Sequence, residues 1–364
     1  MSLCVFSKIC TTPIITKLWQ LLQSPRLLFY ILVYFMLVLV IGTLAQKYIG
    51  LFSATHLFFN SFFYWLGPVP IPAGASVLTL LFINLVVHFI TSSKWDKEFI
   101  GSTLAHLSIL VLLFGGGITL ATKQEGFMLL RQNDTVSRIY DYHKREIVIF
   151  AQGKELLAFE ANNLREKNLL ALPSSLPFTI TIEQICKNCT LDDTQQLQQR
   201  DINLEDEVNQ WGFAFRIQDT QHQTSRDIAV TEFFAPQKIA DDYYIAIRRY
   251  SRALPFSLRL ENFTPTYYAG TDIAQSYESS LHVIEQQQGD QKQTTWPALI
   301  SMNDPLRYKG YTFYQSSFLM LPDNDIASVL NVVDNAGWLF PYLATFMLFA
   351  GLLIHLGVRR HAPH

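Results

Sequence analysis

With 364 residues, 49% hydrophobic and 13% aromatic, the chain has the length of two soluble domains, but its apolar residues are bunched into long runs that read as membrane spans. A net charge of −2 with both signs mixed gives no basic face and excludes a nucleic-acid partner. Four cysteines are too few for a disulfide-framework protein.

In chain order, residues 1–26 carry Lys8, Lys17 and Arg26 and no acid, together with Cys4 and Cys10. Ser24-Pro25 marks the start of a helix, because proline suits a first turn. The first apolar run, 27–46, follows the charges at a distance and precedes no small-residue cleavage pattern, so it reads as a retained anchor. Residues 51–73 are rich in Phe, Tyr, Trp and Pro without one charged side chain, which suits a membrane interface. A second span covers 74–92, where Asn84 and His88, four residues apart, are expected on one helix face. A short polar turn with Lys94 and Lys97 leads to the third span, 102–122, which is long enough to cross a bilayer and carries His106 as its single ionisable side chain.

From 123 to 335 the chain is polar and strand-like, with segments such as REIVIF, FTITIEQI, GFAFRIQ, YYIAIRRY and FSLRLENF between Gly, Pro and Asn. The fourth apolar run covers 337–357, with Trp338 and Tyr342 at one end and Arg359-Arg360 past the other. The expected architecture is a membrane protein with four transmembrane helices and a large outer, all-β or mostly β domain between helices 3 and 4. Its expected parts are an inner N-terminal segment 1–26, three spans within 27–122, an outer domain 123–335, a last span 336–358 and an inner tail 359–364. Basic residues in the short segments put both termini inside and the β domain outside.

A histidine in a span costs free energy unless it pairs, faces a cavity or binds a metal. In this orientation His88, His106 and His355 share one depth near the inner side, where a neutral imidazole suits a heme iron. The alternative is that each ring reaches the interface or bonds a neighbouring helix, and that is the better reading for His355. Cys186-Lys-Asn-Cys189 spells CxxC, but Thr190 stands where covalent heme attachment needs His. A disulfide, two reduced thiols or a redox pair remain open for it, with a structural role favoured. Gly115-Gly116-Gly117 inside a span reads as a place where helices approach closely. No nucleophile motif, paired-acid site or nucleotide fingerprint stands out, so no catalytic residue is assigned.

Several residues resemble a known family. They are Ile41-Gly42-Thr43 with Gln46, His106 with Gly115, and Met302-Asn303-Asp304-Pro305-Leu306 running into Gly310-Tyr311-Thr312-Phe313-Tyr314-Gln315. Phe263, Tyr267 and Leu281 add to the likeness, which is to the ResB or CcsB family and covers nearly the whole chain. The resemblance implies a role in system II cytochrome c biogenesis in a bacterial inner membrane, or a thylakoid membrane for a plastid protein. It implies heme b as the group handled, with His106 as an axial ligand and the second ligand from a ResC- or CcsA-like membrane subunit. It also implies apocytochrome c as a partner, with a thioredoxin-like protein as a further one. The partner's tryptophan-rich segment has no counterpart here, so the resemblance is to the heme-translocating half of a cytochrome c heme lyase. Rival readings are a b-type electron-transfer subunit using His88 or His355 as second ligand, and a receptor with a ligand-binding β domain.

Overall fold

The computed structural model describes residues 13–219, 224–232, 234–286, 293–321 and 325–360. Cys4, Lys8, Cys10 and the tail from 361 lie outside them. The chain forms two units, one made of the residues up to Lys123 and from Asn335 onward, the other of Gln124–Asp334.

The first unit is helical. Helix α1, Pro13–Leu22, replaces the featureless inner segment expected at 1–26. Helix α2, Pro25–Ile49, begins where the Ser24 side chain accepts from the Arg26 N–H at 3.3 Å and proline occupies the first turn, where it forfeits no hydrogen bond. Short helix α3, Leu51–Ala54, runs into a π-helical turn at Thr55–Asn60, then into a hairpin of β1, Phe63–Leu66, and β2, Val69–Pro72. The aromatic connection is therefore ordered. The π-turn seats on glycine: a Cβ on Gly42 would meet the Phe59 ring at 2.5 Å, and one on Gly74 would meet the Phe59 backbone at 2.8 Å. Helix α4, Gly74–Ser92, and α5, Ile100–Thr122, follow, and α6, Phe340–Arg360, ends the described residues.

Among the described residues, four helices are long and apolar enough to cross a membrane: Pro25–Ile49, Gly74–Ser92, Ile100–Thr122 and Phe340–Val358. Counted over all α-helices, the β domain follows the fifth rather than the third, because α1 and α3 were not anticipated; among the four apolar helices it lies between the third and the fourth. Helices α5 and α6 cross closely at small residues, with Gly351 against the Gly101 carbonyl and Ala105, and Phe340 over Gly115. A Cβ on Gly116 or Gly117 would meet nothing outside its own helix turn within 4 Å among the described residues, so of the glycine run Gly115 is the one at a close helix contact.

The second unit is mostly β. Its main sheet runs β14 (Gln293–Ser301)-β13-β12-β4-β3-β17-β16-β15, with β5 (Lys154–Glu160) beside β4 and β11 (Gln237–Ala240) beside β12; a three-stranded sheet β10 (Ser225–Thr231)-β9-β6 packs alongside, and β7 (Cys189–Leu191) pairs with β8 (Leu197–Gln199). The strands that matter below are β3, Gln124–Arg131, β4, Thr135–Ala151, β6, Phe178–Cys186, β9, Gly212–Asp219, β12, Tyr243–Tyr267, β13, Ala274–Gln286, and β15 to β17, Leu306–Tyr308, Tyr311–Met320 and Ile326–Asp334. Two separate cores result. One holds Ile147, Ile180, Phe213, Phe215 and Ile245; the other holds Met128, Leu258, Leu281, Phe313 and Leu330. Strands β4 and β12 are long enough to contribute to both. YYIAIRRY and FSLRLENF read as two strands because Pro255 separates them, but both lie in β12, where the pairing to β4 shifts register between Ala253 and Leu258. Proline donates no ladder hydrogen bond, and the irregularity absorbs it.

Candidate functional site

Helices α4 and α5 are joined by a turn, so the last residues of one meet the first turns of the other. Between them lies a cleft of about 230 Å³ with walls from Leu85, Phe89, Phe99, Ile109 and Leu110. His88, Lys94, Ser102, Thr103 and His106 supply its polar lining. Two of the three intramembrane histidines thus share one cavity, while His355 does not line it. The His355 backbone packs against Gly101, and its buried Nδ1 has no hydrogen-bond partner.

His106 is exposed on α5, and its Nδ1 lies 2.7 Å from the Ser102 carbonyl one turn back. A carbonyl only accepts, so Nδ1 carries the proton and donates, which leaves Nε2 with a free lone pair. This is the arrangement that fixes the tautomer and ring orientation of a metal-ligating histidine. His88 is exposed as well. Asn84, one turn before His88 on α4, is buried and donates to the Leu22 carbonyl at 2.5 Å, satisfying an orphan acceptor at the end of α1. Apolar walls, an imidazole with a free nitrogen and a nearby cation fit a flat apolar ligand with anionic groups. The cleft is smaller than the roughly 300–1,000 Å³ of sites that enclose a small molecule, so it has room for only part of such a ligand.

In the β unit, Cys186 and Cys189 are joined as a disulfide. Cys189 is fully buried and Cys186 is 4% exposed, so the bond ties the end of β6 to the next strand and is withheld from an attacking thiolate. Asn303 sits exposed in a turn where Ser301 and Asp304 exchange backbone hydrogen bonds, with Pro305 half-buried behind it. Lys309 and Gly310, at φ of 48° and 87°, form the two-residue turn of the β15–β16 hairpin, a conformation that glycine favours. Gln315 is buried: its Oε1 accepts from the Ser279 hydroxyl at 2.6 Å, and its Nε2 donates to the Ser328 hydroxyl at 3.0 Å and the Ser317 carbonyl at 3.2 Å. Tyr314, next to it, is exposed. In the helical unit, Thr43 is exposed and the Gln46 carbonyl accepts from Gly50 N–H.

A charged cluster between the two β cores was not anticipated from the sequence. Arg145, with no exposed surface, pairs with Glu232 at 2.5 Å and donates to the Tyr142 carbonyl at 2.8 Å. Burial pushes the Glu232 carboxyl above its usual range and outweighs the pull of Arg145. Burial and the Glu207 charge push the Tyr142 phenol up to about 12. Arg249 donates to the Tyr142 carbonyl at 3.0 Å and stacks 5.3 Å from the Phe127 ring, with burial lowering its pKa. A charge inside strand patterns such as REIVIF and AVTEFF was the available signal.

Apolar helices long enough to span a bilayer and a large, mostly β domain define a membrane protein whose helical unit holds a cleft lined by two histidines. The model of the ResB-like family matches residues 97–336, and the chain belongs to that family. Protein NrfI of Wolinella succinogenes is 24% identical over 326 residues, which cover 87% of this chain and 32% of NrfI. The chain therefore spans about a third of that relative's length.

Proposed function

We propose that this chain is the heme-handling subunit of a system II cytochrome c synthase, with heme as its cargo. Membership of the ResB-like family supports the role in cytochrome c biogenesis. The observation that carries the finer reading is His106: its Nδ1 is engaged by the Ser102 carbonyl, so Nε2 is free to ligate iron in an apolar cleft. The exposed ring and partial cleft leave the other axial position to a ResC- or CcsA-like membrane subunit. That subunit would then present the cargo to the CxxCH of an apocytochrome c, and a thioredoxin-like protein would keep those cysteines reduced. We place the helices in a bacterial inner membrane, both termini in the cytoplasm and residues 124–334, between the third and fourth spans, in the periplasm. Lys94 and Lys97 in the α4–α5 turn support that orientation, and a disulfide in the β domain suits an oxidising compartment.

A second reading, a b-type electron-transfer subunit, is favoured by one observation: His88 lines the same cleft as His106 and could be an internal second ligand. Heme content and low-spin absorbance of the purified complex separate the two. His106→Ala should empty or weaken the site while the helix still inserts, with added imidazole restoring part of the signal. His88→Ala should have a small effect if the partner supplies the second ligand and as large an effect as His106→Ala if the pair is internal. Full heme content and normal cytochrome c output in His106→Ala would refute the assignment.

A further inference from the structure

Lys94 is the only cation lining the α4–α5 cleft, and no carboxylate lines it among the described residues. Its position is set by packing rather than left to a loose turn. The preceding residue closes α4 through a Ser93 N–H to Phe89 carbonyl bond of 3.1 Å, and the buried Thr103 hydroxyl of α5 donates to the Lys94 carbonyl at 2.6 Å. The ammonium group then lies 4.7 Å from the centre of the Phe99 ring, a cation–π contact that orients it over the cavity wall. The Lys94 side chain forms no ion pair with an acid among the described residues, so its charge is available to a ligand.

We propose that Lys94 is the anion anchor of this cleft and sets its preference for a porphyrin with free carboxylates. This rests on the reading of the cleft as a heme site and names the group that recognises the polar edge of the cargo. The division of labour follows from chemistry: His106 offers a neutral nitrogen to the metal and is indifferent to the ring's substituents, whereas an ammonium stabilises carboxylates and is indifferent to the metal. Esterifying the two propionates of heme deletes the charge and keeps the apolar body and iron. The same ammonium would also attract a lipid phosphate, so lipid is one arm of the test.

The full chain, purified in an uncharged detergent, is titrated with ferric heme and with heme dimethyl ester while the Soret band is followed, with and without phosphatidylglycerol. The wild type should bind heme about tenfold more tightly than the ester, in keeping with a charge-assisted contact. Lys94→Gln should lose that preference and keep the Soret shift of histidine-ligated heme, and Lys94→Arg should retain the preference. His106→Ala should lose the Soret shift of histidine-ligated heme and retain the preference. Equal binding of heme and ester by the wild type, or an undiminished preference in Lys94→Gln, overturns the anchor and leaves the heme reading standing. A preference that phosphatidylglycerol removes assigns Lys94 to lipid headgroups and also overturns it. Absence of the Soret shift of histidine-ligated heme with either porphyrin in the wild type overturns both the anchor and the heme reading.

Discussion

Gln315 belongs to the stretch that carries the resemblance to the family, and its position assigns it to folding rather than to contact with a partner. Its amide closes a network with Ser279 and Ser328, both without exposed surface, and supplies a donor to the Ser317 carbonyl beside the register shift of β16 against β17. Gln315→Leu keeps the bulk and removes both amide functions. The two serine hydroxyls lie 2.8 Å apart and can still satisfy one another in part, which leaves about two buried polar groups without partners. At about 1–3 kcal/mol for each, less about 1 kcal/mol regained by the buried leucine, the net loss is about 3 kcal/mol. For a domain of roughly 150–250 residues that lowers the melting temperature by about 6–12 °C. Thermal unfolding of the purified full chain, followed by circular dichroism in the β region, measures it. The exposed neighbour provides the control, since Tyr314→Ala should shift melting by less than about 1 kcal/mol. An unchanged melting temperature in Gln315→Leu together with lost cytochrome c assembly would refute the structural account and make Gln315 a docking residue.

Replacing Cys186 and Cys189 with serine removes a buried staple that closes a very short loop, so the loss should be at most about 2 kcal/mol, with assembly still measurable; a stable, inserted variant with no assembly would show that the pair does redox work. The Asp206 carboxyl is held below its ordinary value near 4 chiefly by the hydrogen bond from His143, 3.0 Å away. A depressed carboxylate contributes stability that is present above the unfolded value and lost as pH falls through the lower folded one. Asp206→Asn should therefore be less stable than wild type by about 1 kcal/mol at pH 6, and the gap should close as melting curves are taken from pH 5 toward pH 3. A reporter active only outside the cytoplasm should work when fused in the exposed Asn303 turn and be silent at residue 364; the reverse pattern would invert every inner and outer assignment.

Some of this molecule was legible in its residues, and the reasons are local. Apolar runs announce spans because each must satisfy its backbone internally and present apolar side chains all round, which needs no knowledge of what packs against it. FTITIEQI and GFAFRIQ announce strands because alternation is a property of the segment itself. The same logic hid α1. Its Ile14, Ile15, Leu18 and Leu22 carry helical spacing, but attention to the charges of 1–26 and the absence of any acid made it look like an inner tail. Strand β12 was split in two at Pro255, since a proline breaks a ladder locally and only the pairing with β4 shows the chain running on.

The site was half legible for a different reason. A histidine in a span stands out on energetic grounds wherever it sits, so His106, His88 and His355 could all be named, but which of them share a cavity depends on how α4, α5 and α6 pack. Packing turned Asn84 toward α1, kept His355 out of the cleft and brought Lys94 into it. Lys94 looked like an orientation signal because lysine in a short turn usually is one. The Thr103 hydroxyl on its carbonyl and the Phe99 ring under its ammonium give it a fixed place beside His106 that no spacing rule encodes. The Arg145–Glu232 pair shows the same limit from the other side. Within REIVIF and AVTEFF each charge looks like the solvent edge of a strand, and the two are 87 positions apart in the sequence. Their meeting depends on the pairings of β4 and of β9 with its neighbours, and a residue whose partner comes from the fold reads as exposed until the fold is known.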